Sequence, residues 1–385
     1  GDAISLGANT LTLSGGGTFV SGGLDLDNAN SKLLLSSITV DNVSTSADNS
    51  GLDIDANSTV TSLTVAHTTP VSIASGKTLS GAITVTDGSI KLGETGTLAS
   101  SVSMSGGTLD ADNSLTLSGA LTQTGDIEID VAEDKTLSYS GDEISLGANT
   151  LTMSGEGTFS NTNALVLSNA SSKLLLSSSI TVGSVSTSAD NSGLDVDADN
   201  STVSSLTVAH TTPVSIASGK TLSGAITVTA GSLQLDEAGT LASTVAMSGG
   251  TLDSDNSSTL SGALTQSGDI TIDVASGKTL TYSGASLSLD NNTLTLSGGG
   301  RLSNSNALVL NNASSKLLLD SITVDNVSTS ADSLGLDVDD NSTVSSLTVA
   351  YTTPVSIASG KTLSGAITVT AGSLQLDEAG TLAST

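Results

Sequence analysis

Apolar residues in this chain come in short alternating pairs. In the stretch TLSGAITVTAGSLQLDEAG, from Thr221 to Gly239, Leu222 stands alone while Ile226/Val228 and Leu233/Leu235 each flank one polar residue. That alternation is the period of a strand with one buried face, and helical spacing is sustained nowhere. Ser-Gly follows the first apolar place, Ala-Gly-Ser the second and Asp-Glu-Ala-Gly the third, so turn chemistry closes each run. The pattern predicts three short strands per unit.

The unit returns about every 19 residues. Thr202-Val203, Thr221-Leu222, Thr240-Leu241 and Thr259-Leu260 align, as do Thr59, Thr78, Thr97 and Thr116. One such unit could not bury its own apolar face, whereas stacked units share a continuous interior. The expected fold is all-β, a parallel β-solenoid (β-helix) of about 19 residues per coil, with three strands and a roughly triangular section. Expected core columns are Val203/Leu222/Leu241/Leu260, Ile226/Val245/Leu264 and Val214/Leu233/Leu252.

Some places depart from this period. Leu206-Thr-Val208 sits one residue out of register with Ile226-Thr-Val228. The step from Leu175-Leu176 to Thr202-Val203 is 27 residues, which predicts a protruding loop around Ser186–Gly193. Closer spacings near Thr136, Thr152 and Val166 predict narrower coils or looser turns.

A longer repeat overlies the coils. GDAISLGANTLTLSGGGTF at Gly1 returns at Gly141 and, more loosely, at Gly284, while Thr211–Thr244 recurs unchanged as Thr352–Thr385. The copies are 1–140, 141–283 and a truncated 284–385, expected to form one continuous rod within a longer natural protein. At a strand spacing of about 4.8 Å, 18 to 20 coils would measure roughly 85 to 95 Å. Neither end shows a polar cap, so strand edges there would invite end-to-end pairing.

Composition narrows the function. Five aromatic residues among 385 and about a third Ser plus Thr predict a thin aliphatic core. Net charge −28 disfavours nucleic acid and anionic lipid. Without Cys there is neither a disulfide framework nor a thiolate metal site. No apolar run reaches the roughly 20 residues that span a bilayer, so direct membrane insertion of this segment is not expected.

Candidate chemistry is sparse. Ser-Gly-Lys-Thr at Ser75, Ser218, Ser276 and Ser359 resembles the end of a phosphate loop, but Val71, Val214, Ile272 and Val355 occupy the place of the required first glycine. A turn lysine paired with nearby acids is the simpler reading. The alternating acids Asp53/Asp55, Asp195/Asp197/Asp199 and Asp337/Asp339 could present oxygens to Ca²⁺, although the EF-hand spacing is absent, with Asn200 and Leu206 at its Gly and Glu places. No other cofactor is expected.

Catalysis is not expected either. The two histidines, His67 and His210, share one repeat position that holds Tyr351 in the third copy, as a tolerant surface site would. Ranks of Thr-x-Thr that could face ice, Thr84/Thr86 and Thr227/Thr229, break one coil on at Ser103 and Ala246. Asn-x-Ser/Thr triplets at Asn42, Asn57, Asn169, Asn200, Asn256, Asn312, Asn326 and Asn341 would allow glycosylation in a competent host.

The phrases Leu-Thr-Leu-Ser-Gly-Gly-Gly-Thr and Ile-Thr-Val-Thr-x-Gly-Ser-Leu, spread over the whole chain, resemble the β-helical passenger regions of bacterial autotransporters and filamentous-haemagglutinin-type adhesins. The resemblance implies right-handed parallel β-helices, export to the cell surface and attachment to cells or matrix. The leading expectation is a non-enzymatic structural or adhesive segment: an extracellular adhesin, stalk or fibre. Its partners would be neighbouring repeats or copies of itself end to end, and host-cell or matrix glycans or proteins. The alternatives are a self-assembling filament or sheath subunit, and a Ca²⁺- or glycan-binding module.

Overall fold

A computed structural model describes residues 3–376 and 378–384. Among them every regular element is a strand, and strand pairs with strand in parallel ladders. Two compact units are resolved, Gly1–Ser192 with Ser201–Ser204, and Gly193–Asn200 with Ser205–Thr385. Each is a parallel β-solenoid.

The coil that begins at Thr78 in the first unit shows the plan. The eight-residue strand Thr78–Val85 serves two faces in succession, and Ser89–Leu92 forms the third. The next coil splits the same path into Thr97–Leu98, Ser101–Met104 and Thr108–Ala111. Pairing runs Leu79↔Leu98↔Leu117 on the first face, Ile83↔Val102↔Leu121 on the second and Ile90↔Leu109↔Ile129 on the third. All nine side chains are nearly or fully shut from solvent. The intervening Thr, Ser, Asp and Lys face outward, which is the alternation legible in the sequence.

The second unit repeats this plan. Leu222↔Leu241↔Leu260 and Ile226↔Val245↔Leu264 stack as expected. The third expected column needs correction: Leu233 and Leu252 pair, but Val214 lies beside Leu235, and Thr212 stands under Leu233. Thr212 is only 1 % exposed, and its hydroxyl donates to the His210 carbonyl. A hydroxyl satisfied by its own turn can occupy a core position, which moves the apolar count by one pleat.

The one-residue slip read at Leu206-Thr-Val208 has a structural counterpart in the first copy. Gly81 pairs with Val60, twenty-one residues earlier, yet Ala82 pairs with Ser62, twenty residues earlier, leaving Thr61 as a bulge. The chain turns from the first face to the second here, and Gly81 takes a φ of 121° to do so. A Cβ on Gly81 would lie 1.8 Å from the Val60 carbonyl oxygen. The third copy repeats the shift between Thr343 and Ser346.

The protruding loop is not there. Ser186 and Thr187 belong to the strand Thr181–Thr187, and Gly193 opens the strand Gly193–Val196. In the first copy the corresponding turn is tucked in. Asn49 is 8 % exposed, with its Nδ2 donating to the Ala47 carbonyl and to Thr69 Oγ1. The long step arose because Leu175-Leu176 and Thr202-Val203 stand on different faces. Leu174 and Leu176 line the third face, whereas Thr202 donates its N–H to Ile180 on the first.

Near Thr136 and Thr152 the coils are wider, not narrower. Thr136 pairs with Thr158, Ile127 with Leu151 and Thr150 with Lys173, steps of 22 to 24 residues against 19 for Thr78↔Thr97. The surplus lies in corners such as Ala132–Lys135, so the ladders continue unbroken.

Candidate functional site

The alternating acids are placed one by one rather than gathered. Asp53 projects from the third-face strand Gly51–Ile54 and pairs with Lys32 one coil earlier at 2.6 Å, while Asp55 is exposed just beyond the strand. Asp337, on Gly335–Val338, pairs likewise with Lys316. Asp195 lies on Gly193–Val196, with Asp197 and Asp199 in the turn that follows. Asp339 follows its strand and donates its N–H to the Leu319 carbonyl. Asp53 stacks on Ser72 and Leu34, Asp195 on Ser215, and Asp337 on Ser356 and Leu318. Among the described residues no three His, Asp or Glu side chains are close enough to share a metal ion.

A denser arrangement of carboxylates lies elsewhere on the third face. In the first unit Lys91, Asp110, Asp130 and Ser154 occupy one outward column over four coils. Lys91 Nζ reaches Asp110 at 2.7 Å, and this hydrogen bond and charge hold the lysine above its ordinary pKa. The Ser154 hydroxyl lies 2.6 Å from both Glu128 Oε1 and Asp130 Oδ1. Thr108 donates to the other Glu128 oxygen at 3.2 Å.

The second unit rebuilds the column with one change. Gln234, Asp253, Asp273 and Ser297 take the four places, and Gln234 Nε2 donates to Asp253 at 3.3 Å where the first unit has an ion pair. Burial, reinforced by Asp255, Asp273 and Asp236, pushes the Asp253 carboxyl above its usual range, against the pull of Gln234. Asp236 is raised too, by burial first and then by Asp255 and Asp195. These columns were not singled out from the sequence. Their signal was present in the alternating Leu109-Asp-Ala111 and Ile272-Asp-Val274, whose central acids must face outward.

The corners settle the remaining motifs. Ser-Gly-Lys-Thr forms the turn from the third face to the first: Gly76 has a φ of 70°, and Lys77 donates its N–H to the Ala74 carbonyl. Its lysines find surface partners, Lys361 with Asp340 at 2.9 Å and Lys278 with the Asn256 side-chain oxygen at 3.2 Å. His67 is exposed at the opposite corner, and Tyr351 is 44 % exposed in the third copy. The Thr-x-Thr rank is interrupted as read, with Thr227 beside Ala246.

A shallow polar groove of about 400 Å³ crosses four coils of the first unit, lined by Gly17, Ser37, Thr39, Asn57, Thr59 and Thr78 among others. It carries hydroxyls and amides and no charged group. Asn57 is already engaged, accepting the Thr78 N–H at 3.0 Å. No family model matches this chain, and no curated protein or solved structure does either.

Proposed function

We propose that the chain is a structural and adhesive segment of a long extracellular surface protein, of the kind typified by the β-helical passenger regions of autotransporters and filamentous-haemagglutinin-type adhesins. The observation that carries this reading is the coil-to-coil ladder itself. Within each unit coils hydrogen-bond to their neighbours on three faces and bury Leu, Ile and Val in register, as in Leu233↔Leu252↔Ile272↔Leu296. Such an array is resistant along its ladders and presents a repeated wet surface of Ser, Thr, Asn and Asp. Binding would then be collective, through outward ranks and corners repeated from copy to copy.

Display of the chain on a non-adherent bacterium tests the proposal, by counting cells retained under flow on epithelial and matrix-coated surfaces. Retention above that given by an unrelated repeat protein of equal length is expected. Equal retention overturns the adhesive half. Unfolding of single molecules at forces no higher than those of an ordinary globular domain overturns the structural half.

A further inference from the structure

The turn from second to third face needs glycine at one position in all three copies. Gly88, Gly231 and Gly372 have φ of 67° to 69°, and a Cβ on any of them would lie about 2.5 Å from the backbone of His67, His210 or Tyr351 in the coil below. The residue before that glycine is free to vary. It is Ala230 in the second copy and Ala371 in the third, but Asp87 in the first, making Asp87-Gly88 the one Asp-Gly pair in the chain. Asp87 is exposed and Gly88 is half-buried. The Gly88 N–H donates to Oδ1 of Asp87 itself at 2.8 Å, so the carboxyl group lies beside the nitrogen of the following peptide.

We propose that Asp87-Gly88 is a site of spontaneous backbone modification, at which aspartate rearranges to isoaspartate. The Gly88 nitrogen attacks Asp87 Cγ and loses its proton, and one carboxyl oxygen leaves as water, closing a five-membered succinimide. Water then adds to one of the two ring carbonyls. Opening at Cγ restores aspartate, while opening at the main-chain carbonyl routes the chain through the side chain. No oxidant or co-reactant is needed, and the net composition is unchanged. Two features favour the step: nucleophile and electrophile are already neighbours, as in an intramolecular reaction, and glycine puts no side chain in the way.

The consequence is mechanical. Thr86 is tied to the Val65 carbonyl, and the Gly88 carbonyl accepts the Thr108 N–H, both at 2.9 Å. An added backbone methylene must be taken up between these anchors, which loosens this corner in the first copy alone.

The test incubates the folded full chain at neutral pH and body temperature beside a synthetic peptide of residues Thr78–Lys91, the fragment trypsin releases. Isoaspartate at residue 87 is followed by electron-transfer fragmentation. The expected result is a rate in the folded chain within about tenfold of the peptide's, with the signal lost in Asp87→Ala. A folded chain slower than the peptide by more than that factor, or a signal that survives Asp87→Ala, overturns the proposal. Circular dichroism of both chains before incubation confirms that folded protein is compared.

Discussion

The ring of Phe159 stacks on that of Tyr139 at a centroid distance of 6.1 Å, with 19° between the planes. The equivalent pair in the next copy is Leu302 and Tyr282. There crevices too narrow for water lie among Leu260, Leu264, Leu280, Tyr282, Leu302 and Leu308. The surrounding residues are nearly the same in both places, so Leu302→Phe should fill the space as Phe159 does. We expect a gain of about 1 kcal/mol for Leu302→Phe and a loss of at least that for Phe159→Leu, read from thermal melts.

The hydroxyl of each buried tyrosine closes a corner. Tyr139 accepts the Leu121 N–H at 3.1 Å and donates to the Asp142 carbonyl at 2.6 Å, and Tyr282 does the same with Leu264 and Ala285. Tyr139→Phe leaves a buried N–H without a partner and should cost about 1–3 kcal/mol in denaturant titrations.

The same phenols give a pH dependence. Burial raises both above the ordinary tyrosine value of 10.0. The folded state keeps a proton that the unfolded chain loses, so stability should fall as pH rises past that value. The double variant Tyr139→Phe/Tyr282→Phe should be less stable at neutral pH, yet show a shallower alkaline fall.

Asp253 faces Asp273 across the ladder with only Gln234 to relieve it. Its carboxyl is raised, so the charged form costs stability at neutral pH, and that cost is lifted as pH falls through its folded pKa. Asp253→Asn should gain roughly 0.5 kcal/mol at neutral pH and nothing in acid. Gln234→Lys should stabilise by a similar amount by rebuilding the Lys91–Asp110 pair.

Two glycines separate a steric demand from a conformational one. Both have positive φ, but a Cβ at Gly76 meets nothing within 4 Å, whereas at Gly81 it meets the Val60 backbone at 1.8 Å. Gly76→Ala should cost about 1 kcal/mol and Gly81→Ala about 3 to 5. Equal losses would show that the bulge at Thr61 can relax.

The fold was legible where apolar residues alternate with polar ones, and it misled where that parity was masked. Leu33-Leu34-Leu35 and Leu174-Leu175-Leu176 read as plain apolar runs, yet only the outer two of each triplet point inward. The second failure was chemical: Thr69, Thr212 and Thr353 fill core positions because turn carbonyls satisfy their hydroxyls. Coil length was the third, since corners such as Ala132–Lys135 absorb extra residues without moving a ladder. Among candidate sites, the lysine turns were readable because glycine and lysine hold fixed places around a tight bend. The carboxylate columns were not, because facing residues lie 19 to 24 positions apart and only the register reveals which acids meet.

The exact duplicates Thr211–Ser243 and Thr352–Ser384 share the pairings Thr212↔Leu233 and Val214↔Leu235 in one, Thr353↔Leu374 and Val355↔Leu376 in the other. An unequal crossover between the two gene segments would join one winding to another at an equivalent point, preserving the inward and outward assignment of every later residue. Length can therefore vary between lineages by whole blocks, with shorter and longer descendants inheriting an intact interior.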